Sequence, residues 1–321
     1  MLRHTDPERN SFDPRFAAAI RVDRLTKRYG SLEAVDQVSF SVRSGTVHGL
    51  IGPNGAGKTT TLECLLGLRR PDNGTIAVNG QDPRGDAITM FRTTGAFLQE
   101  DAGLYRRVRT SEAIRLYADI HGVTVDVGAV AATWGLQEKL KSAYGELSGG
   151  QKARLHLALA TIGRPEVLIL DEPTAGLDPV GRREIWEIIR HAAAREGLTV
   201  LVSTHHLDEA ERFCNRVTML HHGAVILDGE PERLLDRYGF RTYIECVDAN
   251  LPPEALRHAR WCSERRDGTS LVLSDDRDAE VVRAVGIEAG LASRLVIRPA
   301  TLDDLFLAIA DGMAVDGSRK P

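Results

Sequence analysis

The sequence predicts an α/β fold with a parallel sheet, followed by a smaller α+β domain. Residues 47–51, 167–170 and 199–203 are short apolar runs typical of buried strands, and helical patterns separate them. Strands that alternate with helices favour a parallel sheet with helices packed against it. At 321 residues, the chain is long enough for roughly two domains.

The composition is ordinary for a folded globular protein, with 42% apolar and 27% charged residues. The net charge of −4 argues against a strongly basic nucleic-acid-binding protein, so no nucleic-acid partner is expected. The sequence contains no run of about 20 apolar residues that could span a bilayer, so another chain would have to cross any membrane. The cysteines match no zinc-site spacing and predict free thiols in a reducing compartment: Cys64, Cys214, Cys246 and Cys262.

The first elements follow from the spacing of apolar residues. Alternation near 20–25 and 38–42 predicts two half-buried strands, after a charged leader at 1–15 that is expected to be flexible. Residues 58–68 and 182–195 have the apolar spacing of helices. Together with the three buried runs, these elements form the expected larger domain.

The pattern changes twice along the chain. Residues of about 101–163 predict a helical subdomain inserted into the larger domain, which is expected to cover 16–238. After Tyr238, short strands and helices alternate, which predicts a small α+β domain at 239–312 and a flexible tail at 313–321. The strands expected there are 241–247, 270–273 and 294–298. The helices expected there are one after Pro252 and Pro253, one at 278–289 and one at 301–310.

A glycine-rich loop joins the first buried strand to a helix and fits the pattern G-x-x-x-x-G-K-[ST]. Glycines let backbone N–H groups surround phosphate oxygens, and the helix presents its positive end to them. Lys58 would reach the β- and γ-phosphates, while the Thr59 hydroxyl would bind Mg²⁺. The loop predicts a P-loop NTPase core, against the alternative of a turn with an incidental lysine. The residues expected to bind the nucleotide are Gly52, Pro53, Asn54, Gly55, Ala56, Gly57, Lys58, Thr59 and Thr60.

Two acids, Asp171 and Glu172, come directly after the second buried strand. In open α/β sheets, ligands bind at the carboxyl ends of the strands. Asp171 is therefore predicted to support the Mg²⁺ shell, and Glu172 to polarise the water that attacks the γ-phosphate. The alternative is that both are solvated loop acids.

A second anion-binding pattern precedes another predicted helix. It consists of Ser148, Gly149, Gly150 and Gln151, whose serine and glycines at a helix start suit anion binding. A single nucleotide needs only one phosphate-binding loop. A P-loop enzyme that works as a monomer would therefore not account for this second anion-binding pattern. The pentapeptide LSGGQ about 20 residues before LILDE resembles the nucleotide-binding domain of ABC ATPases, and the resemblance covers residues 20–235.

This resemblance implies roles for four further residues. Tyr29 would stack on adenine, and Gln99 would sense Mg²⁺ and the attacking water and relay to a membrane partner. Asp178 would belong to the loop that crosses a dimer interface, and His205 would be the switch histidine that contacts the γ-phosphate. The alternatives are ordinary structural positions, such as an edge tyrosine or an exposed loop glutamine.

The resemblance also implies a mechanism and partners. Two nucleotide-binding domains would pack head to tail, with each ATP between the P-loop of one copy and residues 148–151 of the other. A homodimer would then carry two complete sites. The residues that would act on ATP in each site are Lys58, Gln99, Glu172 and His205. The implied membrane partner is a separate transmembrane permease subunit, which would hold the protein at the cytoplasmic face of the cell membrane.

The C-terminal sequence Thr301–Phe306 resembles the closing helix of drug-resistance-type, daunorubicin-exporter-like ABC ATPases. The alternative is a plain amphipathic helix capped by Thr301, with Asp304 in the capping-box position. The predicted function is the motor subunit of an exporter; an importer ATPase and a soluble ABC ATPase acting on DNA or ribosomes stay as alternatives. One departure from the family pattern is His48, which stands where many relatives have a bulky apolar or aromatic residue.

Overall fold

The computed structural model of the chain describes three stretches, residues 18–98, 104–264 and 269–310. The predicted leader, the predicted tail and Gln99 lie outside the described residues. Within the described stretches, no helix has the length and apolar character needed to cross a membrane.

Packing divides the chain into two units. The first comprises the described residues up to His206 together with Phe213–Asp228, and the second comprises Leu207–Arg212 together with the described residues from Gly229 onward. The domain boundary between residues 238 and 239 stays a prediction.

The secondary structure alternates between strands and helices along most of the chain. The strands are β1 (Ala18–Tyr29), β2 (Leu32–Arg43), β3 (Val47–Ile51), β4 (Asn73–Val78), β5 (Thr94–Phe97), β6 (Val167–Asp171), β7 (Thr199–Thr204), β8 (Arg216–His221), β9 (Ala224–Gly229), β10 (Thr242–Cys246), β11 (Trp261–Glu264), β12 (Ser270–Ser274) and β13 (Leu295–Pro299). The helices are α1 (Lys58–Leu65), α2 (Ala87–Thr93), α3 (Thr110–His121), α4 (Val127–Thr133), α5 (Gly149–Thr161), α6 (Pro179–Glu196), α7 (Leu207–Phe213), α8 (Pro231–Tyr238), α9 (Pro253–Leu256), α10 (Asp276–Glu288) and α11 (Leu302–Ala310).

The central sheet of the first unit has the strand order β5-β6-β7-β3-β8-β9. The pairs β5–β6, β6–β7, β7–β3 and β3–β8 are parallel, as the sequence predicts. Every residue of β3, β6 and β7 is buried, which explains their continuous apolar runs. Because these three strands are neighbours, the residues that follow them meet at one edge of the sheet.

A second sheet of the first unit is antiparallel, in the order β2-β1-β4. Alternate side chains of these strands enter one core, which α1 shares: Ile20, Val22, Leu25, Val38, Phe40, Val42, Leu62 and Leu65. Val167, Ile169 and Leu201 of the central sheet join the same core. The core therefore fixes α1, and with it the end of the glycine-rich loop, against both sheets.

Helices α3, α4 and α5 lie within the stretch that the sequence predicts to be helical. Helix α3 packs on both α4 and α5, and Ala131, Leu136 and Leu155 of this stretch are fully buried. Helix α5 also contacts β5, where His156 stacks on Phe97 with 5.3 Å between ring centroids. The Tyr144 hydroxyl also lies 2.9 Å from Nε2 of the His156 ring.

The second unit contains an antiparallel sheet in the order β11-β12-β10-β13. Helices α9 and α10 pack on one face of this sheet, over a core that includes Ile244, Val272 and Val282. The expected strands and helices of this region are present, each shifted by two residues at most where bounds were predicted. Strand β11 is an addition, because an edge strand of four residues with one large apolar side chain leaves little signal in the sequence.

Two helix ends differ by three residues from the sequence prediction. Helix α1 ends at Leu65 rather than at residue 68, because Gly67 takes a φ of +72° and a Cβ there would lie 2.5 Å from the Pro83 carbonyl oxygen. Helix α6 begins three residues earlier than expected. Asp178 caps it by accepting the N–H of Gly181 at 2.8 Å, and Pro179 occupies the first turn.

His48 lies on β3 and is 1% exposed. Its Nε2 is 2.8 Å from the Thr218 hydroxyl oxygen, and that hydroxyl donates to Asp228 at 2.9 Å. Since a threonine hydroxyl has one hydrogen, it accepts from His48, whose Nε2 therefore carries the hydrogen. Asp228 also forms an ion pair with Arg216. The carboxylate and the guanidinium therefore both lie beyond Thr218, at the far end of the hydrogen-bond network that starts at His48. Burial lowers the pKa of His48 to about 4.

We predict that His48 makes the protein sensitive to acid. The unfolded chain takes up a proton on this imidazole near pH 6.5, whereas the folded chain takes it up near pH 4. Unfolding therefore binds a proton in this window, and the free energy of unfolding falls as the pH falls. His48→Gln keeps an N–H donor for Thr218 but does not titrate. Relative to the wild type, it should gain about 2 kcal/mol between pH 7.5 and pH 5 in urea unfolding.

The matched control is the exposed histidine variant His191→Gln, which should follow the wild-type curve at every pH. A constant difference between the wild type and His48→Gln from pH 7.5 to pH 5 would contradict the prediction.

Candidate active site

The glycine-rich loop at 52–57 connects buried β3 to α1. A Cβ on Gly52 would lie 2.2 Å from the Leu220 carbonyl oxygen, and a Cβ on Gly57 would lie 2.4 Å from the Ala34 carbonyl oxygen. Gly57 also has a φ of +100°. The loop therefore requires glycine at both ends, because its backbone passes directly against neighbouring strands.

Lys58, at the start of α1, points back into this loop and is 5% exposed. Its Nζ donates to the Gly52 carbonyl at 2.8 Å and to the Pro53 carbonyl at 3.1 Å. The same ammonium lies 3.4 Å from Oε1 of Glu172. A nearly buried cation thus sits inside a loop whose shape suits a phosphate group.

Asp171, the last residue of β6, is 1% exposed and has both oxygens engaged. Oδ2 accepts the Thr59 hydroxyl at 2.8 Å, and Oδ1 accepts the Ser203 hydroxyl. Asp171 faces Ser203 in the parallel register of β6 and β7. The hydroxyl and the carboxylate oxygens are hard donors of the kind that Mg²⁺ prefers. Within the described stretches, no three His, Cys, Asp or Glu side chains gather to form a metal cage.

Glu172 holds an unusual backbone conformation with a φ of +46°. Its N–H donates to the Ser203 hydroxyl oxygen at 2.9 Å and to the Ser203 carbonyl oxygen at 3.2 Å, and these bonds fix the turn after β6. Its Oε2 lies 3.0 Å from Nδ1 of His205, and its Oε1 faces Lys58. An ionised carboxylate only accepts hydrogen bonds, so Nδ1 of His205 carries the hydrogen. A left-handed residue other than glycine costs of order 1 kcal/mol and is concentrated at functional sites.

The structure therefore brings Lys58, Thr59, Asp171, Glu172 and His205 into one connected group. Sequence reasoning missed Ser203, which joins the two acids through a single hydroxyl. The signal for it was available, since Ser203 ends a buried strand predicted to run parallel to β6. What the sequence left open was the register that sets Ser203 opposite Asp171.

Tyr29 ends β1 at the β1–β2 turn and is 40% exposed. The Lys27 ammonium lies 5.6 Å from the centre of its ring. Strand β2 then passes the glycine-rich loop at Ala34, whose carbonyl oxygen is the neighbour of Gly57. The ring of Tyr29 thus belongs to the hairpin that borders the loop. Gln99 lies outside the described residues, two positions after the end of β5.

Residues 148–151 form the exposed N-terminus of α5. The Ser148 hydroxyl accepts the Gln151 N–H at 3.3 Å, and the Gln151 side chain accepts the Ser148 N–H at 3.1 Å. This capping box leaves the N–H groups of Gly149 and Gly150 at the helix start. Leu177 packs against this turn, as its Cδ2 would lie only 3.4 Å from a Cβ on Gly149. The second anion-binding pattern thus adjoins the loop that carries Asp178.

Comparison with known proteins gives the family. Residues 35–175, which include the glycine-rich loop, residues 148–151 and both acids, match the model of the family described as "ABC transporter". "Nod factor export ATP-binding protein I" of Burkholderia orbicola is 37% identical over 301 residues, covering 91% of this chain and 97% of the relative. The protein of the same name from Mesorhizobium japonicum is 36% identical over 316 residues, covering 95% and 91%. The chain belongs to the ABC transporter ATP-binding proteins.

Solved structures agree with this family. An ATP-binding subunit of an ABC transporter matches with a TM-score of 0.63 and 30% identity, covering 69% of this chain and 93% of that one. A nucleotide-free ATP-binding cassette of an ABC transporter matches with a TM-score of 0.60 at 23% identity and supports the fold alone. The predicted α/β P-loop fold is confirmed, as is the predicted function of an ATP-binding, ATP-hydrolysing transporter subunit. Subunits of this family dimerise and work with membrane permeases.

We predict that Ser203 orients the ABC ATPase site. Ser203→Ala removes the donor to Asp171 and one of the two acceptors of the Glu172 N–H, the Ser203 carbonyl being kept, so kcat should fall about tenfold, with a loss of about 1–2 kcal/mol in the free energy of unfolding. Ser203→Thr, which keeps the hydroxyl, should retain more activity than Ser203→Ala. Exposed Ser293→Ala is the control. Wild-type turnover in Ser203→Ala would show that the hydroxyl does not orient the acids.

Proposed function

We propose that two copies of the chain bind two ATP molecules head to tail and use their hydrolysis to power export through a separate permease subunit. The observation that carries this proposal is the Glu172 carboxylate, held between the Lys58 ammonium and the His205 ring. A carboxylate fixed by two donors beside a phosphate-binding loop has the position required of a group that activates water.

Within one site, the residues divide the reaction between them. Water attacks the γ-phosphorus, the bond to the β–γ bridging oxygen breaks, and Glu172 accepts the proton of the water; the products are ADP and phosphate. Lys58 and the N–H groups of the loop hold the phosphates, and His205 contacts the γ-phosphate. When bound, Mg²⁺ neutralises phosphate charge. Thr59 and Asp171 would hold it, together with Gln99.

The head-to-tail dimer rests on residues 148–151. Ser148 and Gly149 are exposed, and the turn offers backbone N–H groups at the positive end of a helix of 13 residues. These groups suit the γ-phosphate of an ATP that the partner's loop binds, and Asp178 lies in the adjoining loop at the same interface. Tyr29, half-exposed beside the loop, would stack on the adenine.

The direction of transport is taken from the relatives, which are named as export proteins. Importer function and a role on DNA or ribosomes find no such support. The finer assignment to drug-resistance-type exporters rests on the sequence resemblance of Thr301–Phe306 alone, because the contact of Asp304 with the N–H and the hydroxyl of Thr301 is the cap expected of any amphipathic helix with these residues. We place the protein at the cytoplasmic face of the membrane, through its permease.

Glu172→Gln tests the ATPase site. The variant should bind ATP with an affinity close to that of the wild type, because the glycine-rich loop and Lys58 are kept. Its turnover should fall at least a hundredfold, since an amide does not accept the proton. ATP should therefore accumulate between two copies, and the variant should elute as a dimer in ATP and as a monomer in ADP on size exclusion. Unchanged turnover would remove Glu172 from the mechanism.

A second substitution in the Glu172→Gln background separates dimer geometry from chemistry. Ser148→Arg places a long cation in the turn of residues 148–151 and should abolish the ATP-dependent dimer while single copies still bind ATP. Ser293→Arg, an exposed serine far along the sequence, is the control and should dimerise. A normal dimer with Ser148→Arg would contradict the head-to-tail arrangement.

Export is tested with the permease that co-purifies from native membranes. In inside-out vesicles that carry the complex, ATP should drive accumulation of an exported molecule, and Glu172→Gln should abolish it. A panel that contains Nod factor and daunorubicin distinguishes the two exporter types. Recovery of ribosomes or DNA in place of a membrane protein would contradict the transporter assignment of the proposal.

A further inference from the structure

Arg182, in the first turn of α6, joins two loops of the site. Its Nε donates to the Leu177 carbonyl oxygen at 3.0 Å, in the loop directly before Asp178. Its Nη1 lies 3.2 Å from Nε2 and 3.4 Å from Nδ1 of His206. Because Nη1 is almost equidistant from both ring nitrogens, it lies against the face of the His206 ring, so Arg182 contacts the Leu177 carbonyl and this ring together.

From His206 the contacts continue to the catalytic group. The rings of His205 and His206 lie 4.2 Å apart between centroids, and the His206 N–H donates to the Thr204 hydroxyl oxygen at 3.0 Å. His205 in turn binds the Glu172 carboxylate. The segment that carries both histidines is thus held at its backbone by Thr204 and at its second ring by Arg182.

We infer that Arg182 is a positioning residue for ATP hydrolysis, which couples the loop of Asp178 to the orientation of His205. The inference rests on the proposed function, in which His205 contacts the γ-phosphate and Asp178 lies at the dimer interface. A displacement of the Leu177 carbonyl on dimerisation would move Arg182, and Arg182 would move the two histidines. ATP-dependent contact between copies would then set the geometry of Glu172 and His205.

The chemistry of the side chain suits this role. Arginine presents several N–H donors in a rigid plane, so one nitrogen can hold the carbonyl while another holds the ring. A lysine offers a single nitrogen on a flexible stem. Arg183, the next residue, provides a matched comparison because it is exposed and pairs with Glu187 on its own helix at 2.8 Å.

The experiment compares Arg182→Ala, Arg182→Lys and the control Arg183→Ala. Arg182→Ala should lower kcat about tenfold and leave KM for ATP unchanged, because the P-loop is untouched. Arg182→Lys should restore little of the loss, and Arg183→Ala should match the wild type. In the Glu172→Gln background, Arg182→Ala should still form the ATP-dependent dimer. A merely structural role would raise KM or remove the dimer along with kcat, which would overturn the inference.

A double-mutant cycle tests the coupling directly. If Arg182 acts through His206, Arg182→Ala and His206→Ala should each slow turnover, and the double variant should be no slower than the worse single variant. Losses that multiply would overturn the inference. The variant His205→Ala distinguishes failure of this inference from failure of the proposed function. Wild-type turnover in His205→Ala would overturn both, whereas slow turnover there with wild-type turnover in Arg182→Ala would overturn the inference alone.

Discussion

The site depends on the parallel register that sets Asp171 opposite Ser203. Because β6 and β7 are neighbours in that register, one hydroxyl donates to Asp171 and accepts the N–H of Glu172. The turn after β6 is thereby fixed with Glu172 in a left-handed conformation, which aims its carboxylate between Lys58 and His205. A different register would separate the acids from the hydroxyl and leave buried polar groups without partners.

The charges of the site are tolerated because each is paired where it lies. Lys58 and Asp171 are almost completely buried, and an isolated ion in such a place would be strongly destabilising. Lys58 finds two carbonyls and Glu172, while Asp171 finds two hydroxyls. The same arrangement suits function, since a phosphate group would meet donors that the fold already holds in place.

The sequence predicts local features of this site and not its non-local pairings. The glycine-rich loop, the two acids and the cap of Ser148 are recognisable because each is set by neighbours in the chain. The roles of Ser203 and Arg182 are not predicted by the sequence. Their partners lie on other strands and loops, and only the folded arrangement brings each residue to its partners. The same limit applies to β11, an edge strand that exists through its pairing with β12, and to the end of α1, which depends on a contact with a distant loop.

The loop before α6 makes two contacts with that helix, and they set an energy scale for the proposed dimer. The Asp178 side chain caps α6 by binding the Gly181 N–H, and the Leu177 carbonyl binds Arg182. A partner that draws Asp178 away from this cap would give up about 1 kcal/mol of helix stability. Contacts to a γ-phosphate shared by two copies can offset such a loss readily, whereas ADP lacks that group. The two nucleotides would therefore favour different conformations of the loop, and the preference of ATP for one of them is the differential binding that a population shift requires.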